Sequence, residues 1–334
     1  MEGVLLGFSV VAVLVLIGAG TAAIAPQKAR SAQRGVTPLV YYITNPCLMV
    51  VLVSQTDVRM VAGLYAPLAL GIAGITAVVF SAYGLLALRR RRRRPMPDGD
   101  GARASARDGG ASGAATGADV AVGAMASCYV NAGNIGVPIA LYMVGTTAPV
   151  VSVLLAQLLV LAPLFLTLFG LLGRSGGPSR ARTILGSMLN PVTVGVLIGA
   201  VFSLLDRRPP EVIWEPVRML GEASIPLMLL IFGMALWQER PFAVRERRAD
   251  AVVGTVCKVA VMPVVAWALA GPVFGLTGAE LLGVVAMAAL PTAQNVFVFG
   301  LHHGMPVTVA KDVTFASSLL SLPVVLLAAW LLGV

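Results

Sequence analysis

The sequence predicts an all-α integral membrane protein of ten transmembrane helices, and three observations carry that prediction. Of 334 residues, 58% are hydrophobic and only 12% charged, with a mean hydropathy of +0.89, far from the half-apolar, quarter-charged make-up of soluble domains. The apolar residues gather into runs of about 20, the length an α-helix needs to cross about 30 Å of hydrocarbon. The basic residues alternate from gap to gap between those runs.

In chain order the runs are 3–25, 38–54, 60–88, 120–144, 148–172, 183–205, 217–237, 250–270, 280–301 and 307–333. Backbone groups in lipid must be paired within the segment, so each run is expected to be helical. The first ends in Ala23-Ile24-Ala25, as a cleaved signal peptide would. The start, Met1-Glu2, without positive charge, and the length of the run favour a retained span. Cys47, Cys128 and Cys257 lie inside apolar runs, which predicts no disulfide.

The net charge of +9 arises from 24 Lys and Arg against 15 Asp and Glu. The odd-numbered gaps hold Lys28, Arg30 and Arg34; Arg89 to Arg94, Arg103 and Arg107; Arg174, Arg180 and Arg182; Arg240, Arg245, Arg247 and Arg248; and Lys311. The even gaps hold Arg59, Arg207 and Arg208, with Arg218 at an edge. A missed span would scramble this alternation. The odd gaps are therefore cytoplasmic, and both termini are extracytoplasmic in the plasma membrane. The arginine run at 89–94 reads as a topology signal touching anionic lipid. It lacks the interleaved aromatic platforms that a nucleic-acid partner would need.

The third gap, 89–119, becomes rich in Gly, Ala, Ser and Asp and reads as a flexible linker. It divides the chain into two five-span halves, 1–88 with 120–172 and then 183–333. Five being odd, the halves insert in opposite orientations, as inverted repeats do. Thr44 to Met49 and Ser224 to Met228 show weak similarity in agreement.

Two spans are expected to break inside the membrane. The fourth carries Asn131, Gly133, Asn134, Gly136 and Pro138; the ninth carries Pro291, Thr292, Gln294 and Asn295. Proline and glycine disfavour helix interiors, and freed backbone groups at that depth are tolerated only against protein or a wet cavity. Half-helix N-termini and neutral amides there suit a carboxylate.

Together these segments resemble the auxin efflux carrier family, in its bacterial members, a branch of the bile/arsenite/riboflavin transporter superfamily. The resemblance rests on Thr44-Asn45-Pro46, Asn131-x-Gly133-Asn134-x-Gly136-x-Pro138, Asn190-Pro191, Ile225-Pro226-Leu227 with Gly233, and Leu290-Pro291-Thr292-Ala293-x-Asn295. It implies two inverted five-helix repeats whose fourth and ninth spans cross at their prolines beside the substrate. It also implies a dimerising scaffold (1–54 and 183–237) and a transport domain (60–172 and 250–333) that slides as an elevator. The candidate binding residues are Asn45, Asn131, Asn134, Thr292, Gln294 and Asn295, with Gly133, Gly136, Pro138 and Pro291 at the crossing. The third gap, at 31 residues, replaces the long loop of plant carriers. That argues against their phosphorylation control and against auxin as substrate.

Lys258 falls about 12 Å into the eighth span. It reads as a counter-charge for an anion, as a built-in cation replacing sodium, or as a side chain snorkelling to the interface. Glu222 reads either as part of an ion-paired stripe with Glu215 and Arg218 or as a protonatable group before Pro226. His302 and His303 read as a solvated loop, and Lys311 with Asp312 as an interface mark.

No paired intramembrane acids, His or Cys cluster or phosphate loop points to an enzyme. The leading expectation is a secondary transporter of small mono- or dicarboxylates, without a cofactor, its coupling ion open between H+ and Na+. A passive channel or sensor of the same fold is the alternative.

Overall fold

The computed structural model describes residues 2–92, 116–172, 191–207, 209–238, 242 and 244–332. Most of the 89–119 linker, Asn190, the arginines at 93, 94, 103, 107, 174, 180, 182, 208 and 240, and the side chain of His302 lie outside the described residues. The helices are α1 Glu2–Ile24, α2 Pro26–Ser54, α3 Gly63–Arg90, α4 Gly117–Cys128, α5 Ala132–Val144, α6 Ala148–Leu172, α7 Pro191–Leu205, α8 Glu211–Ala235, α9 Arg245–Val273, α10 Gly278–Ala289, α11 Asn295–His302 and α12 Thr308–Leu331. Six of them, α2, α3, α6, α8, α9 and α12, are long and apolar enough to cross a membrane. Shorter apolar stretches come from α1, α4, α5, α7 and α10. The chain is thus an all-α membrane protein.

α2 begins well before the expected start at 38, because Pro26 opens a helical turn that buries Ala29 while leaving Lys28, Arg30 and Arg34 exposed. α1 packs along α8, and α7 along the second half of α2. Both contacts need small residues. A Cβ on Gly18 would strike the Leu230 carbonyl, and one on Gly233 the Val15 carbonyl. Gly195 and Gly199 of α7 sit in the same way over the carbonyls of Pro46 and Val50. Elsewhere α3 lies against α4, and α12 against α9, α4 and α10.

Five prolines inside the apolar runs follow one local solution. Pro46, Pro67, Pro138, Pro163 and Pro263 each come two residues after a π-type turn, at Val40–Thr44, Val61–Tyr65, Ala132–Gly136, Gln157–Leu161 and Cys257–Val261. Ahead of four of them the preceding residue donates to the carbonyl five positions back, for example Asn45 to Val40 and Met262 to Cys257. The wider turn gives the ring room where it would otherwise clash with the carbonyl four back. The helices run on.

The actual breaks lie at 129–131 and 290–294. Tyr129 is extended, and Asn131 caps α5, its side-chain oxygen accepting from Asn134 N at 3.4 Å. Leu290, ahead of Pro291, is driven to ψ 151°, as a residue before proline tends to be. The two segments cross as an antiparallel bridge between Val130 and Thr292. Asn131 N donates to Pro291 O at 2.8 Å, and Ala293 N to Tyr129 O at 3.1 Å. Pro291 thus belongs to the crossing. Pro138 does not: it is buried in α5, seven residues past Asn131, its ring absorbed by a wide turn.

Candidate functional site

At the centre of the crossing, two main-chain groups find side-chain partners. Val130 O accepts from Gln157 Nε2 at 3.2 Å, and Thr292 N donates to Ser317 Oγ at 3.0 Å. The Thr292 hydroxyl donates to Ala126 O at 2.5 Å, closing the end of α4. Such pairing is what a break at membrane depth calls for.

Beside the crossing lies a cavity of about 80 Å³. Asn45 reaches it from α2, Asn131, Gly133 and Asn134 from the start of α5, Gln294 and Asn295 from the start of α11, and Gln157 from α6, with the Tyr41 and Tyr129 rings. Asn45 and Asn131 are buried, whereas Gln294 and Asn295 are exposed. A Cβ on Gly133 would only touch Asn45 Nδ2, at an ordinary contact distance of 3.9 Å. No charged side chain lines the cavity. Its polarity comes from neutral amides and from the N-terminal ends of α5 and α11, whose dipoles favour an anion. A second, wider cavity of about 320 Å³ shares Gln294 and is bounded by Gln33, Phe232, Phe297, Lys311 and Phe315.

A family model described as membrane transport protein matches residues 116–329, well over half of the chain, including both breaks. The chain belongs to the auxin efflux carrier family. No curated protein matches it. The carrier is therefore a multi-pass membrane transporter.

Of the expected binding residues, the carrier brings Asn45, Asn131, Asn134, Gln294 and Asn295 to one cavity, with Gly133 beside them. Thr292 lies elsewhere: it is wholly buried, and its donors hold the crossing together. Gly136 also serves packing, since a Cβ there would meet Leu290 Cδ1 at 2.8 Å. Glu222 is exposed and bonded to Arg218 at 2.7 Å, while Arg218 also bonds to Glu215 at 2.6 Å, so the ionic stripe forms away from the cavity. Lys258 does not line the cavity either.

Several polar residues take places the sequence did not indicate. Gln157 faces both the crossing and the cavity; a lone amide in the apolar run 148–172 was its available signal. His303 is buried rather than solvated, Nδ1 lying 2.9 Å from Phe299 O and its ring edge-on to Phe169. Asp312 is buried and accepts from Phe242 N at 2.9 Å, holding the connection into α9. Arg247, counted as a topology mark, lies buried between Asp119 at 3.1 Å and Asp250 at 3.5 Å. Asp119 also closes a capping box with Thr116 at the head of α4, and Tyr83 donates to Asp250 at 3.2 Å. The three cysteines are free.

Proposed function

We propose that this carrier is a secondary active permease moving small organic anions, mono- or dicarboxylates, across the plasma membrane. The observation that carries this reading is the antiparallel crossing of two broken helices, whose onward halves point their N-termini into one uncharged, amide-lined cavity. A carboxylate placed there gains two dipole ends and several N–H donors with no fixed charge to release.

Taking α4 with α5, and α10 with α11, as single broken spans yields ten crossings, which supports two inverted halves with both termini extracytoplasmic. The packing of α1 on α8 and of α7 on α2 supports a scaffold of those four helices, suited to homodimer formation. The remaining helices form the sliding element of an elevator. The wide cavity between α2 with α8 and α11 with α12 supports a seam between the two.

Uptake of labelled carboxylates into proteoliposomes tests this function. Saturable uptake of at least one acid is expected, and no flux across a broad panel would refute it. Asn134→Ala and Asn295→Ala are each expected to abolish binding without unfolding the protein. Retained affinity in both would place the site elsewhere.

A further inference from the structure

Lys258 stands apart from the binding cavity, yet its side chain is fully buried. Its ammonium donates to Ala288 O at 2.7 Å and to the Met262 sulfur at 3.1 Å. Ala288 is the penultimate residue of α10, so that carbonyl is one of the last four, which no N–H within the helix can reach. The turn that carries Lys258, Cys257–Val261, packs against both α10 and α4. The ammonium thus meets the negative end of the α10 half-helix dipole. No acidic side chain among the described residues pairs with Lys258. A cation this deep persists only where surrounding dipoles offset its lost hydration.

We propose that Lys258 is a positioning residue: a cation tethered to the fold, filling the place where a free monovalent cation would otherwise have to bind to hold the C-terminal end of α10 in place beside α4. The inference rests on the crossing being the transport core. Carbonyls at half-helix C-termini are general ligands for such ions, and an ammonium offers the same charge without leaving the protein. The wild-type crossing then assembles with no added cation, and removing the amine creates a cation requirement.

Thermal unfolding of the purified full-length protein in nanodiscs decides this, in sodium, potassium, ammonium and choline chloride at equal ionic strength. Wild-type Tm is expected to agree within about 1 °C across the four salts. Lys258→Ala is expected to fall by about 5 °C in choline and to recover most of that loss in sodium or ammonium. Lys258→Met fills the volume without charge and is expected to stay low in every salt. Loss of packing alone gives no such selectivity among cations. Sodium stabilisation of the wild type would overturn the proposal, as would Lys258→Ala at wild-type stability or indifferent to the salt. Should Lys258→Ala fail to accumulate, Lys258→Met and the wild-type comparison decide, wild-type stability of Lys258→Met being contrary to it. The readout is unfolding rather than flux, so a carrier that moves no carboxylate would refute the proposed substrate and leave this result standing.

Discussion

The carboxamide of Gln157 donates to a carbonyl that has left its helix and also lines the cavity. Gln157→Leu removes one of the two donors to that buried carbonyl, Ala132 N remaining at 2.9 Å, and is expected to cost about 0.5–1.5 kcal/mol. A lowered Tm with weakened substrate binding is expected, and wild-type values of both would contradict the assignment. Arg247 offers a sharper contrast. Arg247→Met removes the guanidinium that bridges two buried carboxylates, Asp119 and Asp250, and is expected to cost about 3–5 kcal/mol in denaturant or thermal unfolding. The exposed Arg245→Met is expected to stay within about 0.5 kcal/mol. In the sequence both arginines read alike, since a charge count reports the side of the membrane and not burial. The spacing of Arg247 to Asp250 hinted at a pair, but Asp119 is brought to Arg247 only by the packing of α4 on α9.

Prolines show what local sequence settles and what it leaves to packing. Five of them call for relief of the same clash, and each is met by a wide turn within a continuing helix. A break arises only where a second unwound segment supplies backbone partners, as Tyr129 to Asn131 and Pro291 to Ala293 do for one another. The two broken spans were therefore legible from composition. The exact place of the fourth break was not, because its partner lies some 160 residues away in the chain. Pro138→Ala is expected to retain flux within about twofold of wild type, whereas Pro291→Ala, which frees Leu290 to stay helical, is expected to lose about tenfold, equivalent to 1.4 kcal/mol. Equal effects of the two would undo the distinction. Gly233→Val drives α8 off α1 and is expected to cost about 1–3 kcal/mol by overpacking, read as a lowered Tm.

At the scale of the whole carrier, the proposed seam runs between α2 with α8 and α11 with α12. Cysteines placed at Ala235 and Val298, both on the wide cavity, in a Cys47→Ser background, are expected to stop transport when bridged by a short bifunctional thiol reagent. Flux unchanged by the bridge would contradict sliding. The uncharged lining of the small cavity has an electrical consequence. In the proposed cycle Lys258 returns to its starting place, so its charge cancels, and a monocarboxylate crossing alone would move one elementary charge. A potential of 100 mV acts on that charge with about 2.3 kcal/mol, roughly a 50-fold concentration ratio, and an inside-negative cell drives the anion outward. Where no cation travels with the substrate, membrane voltage favours efflux until the outside concentration exceeds the inside by about that ratio.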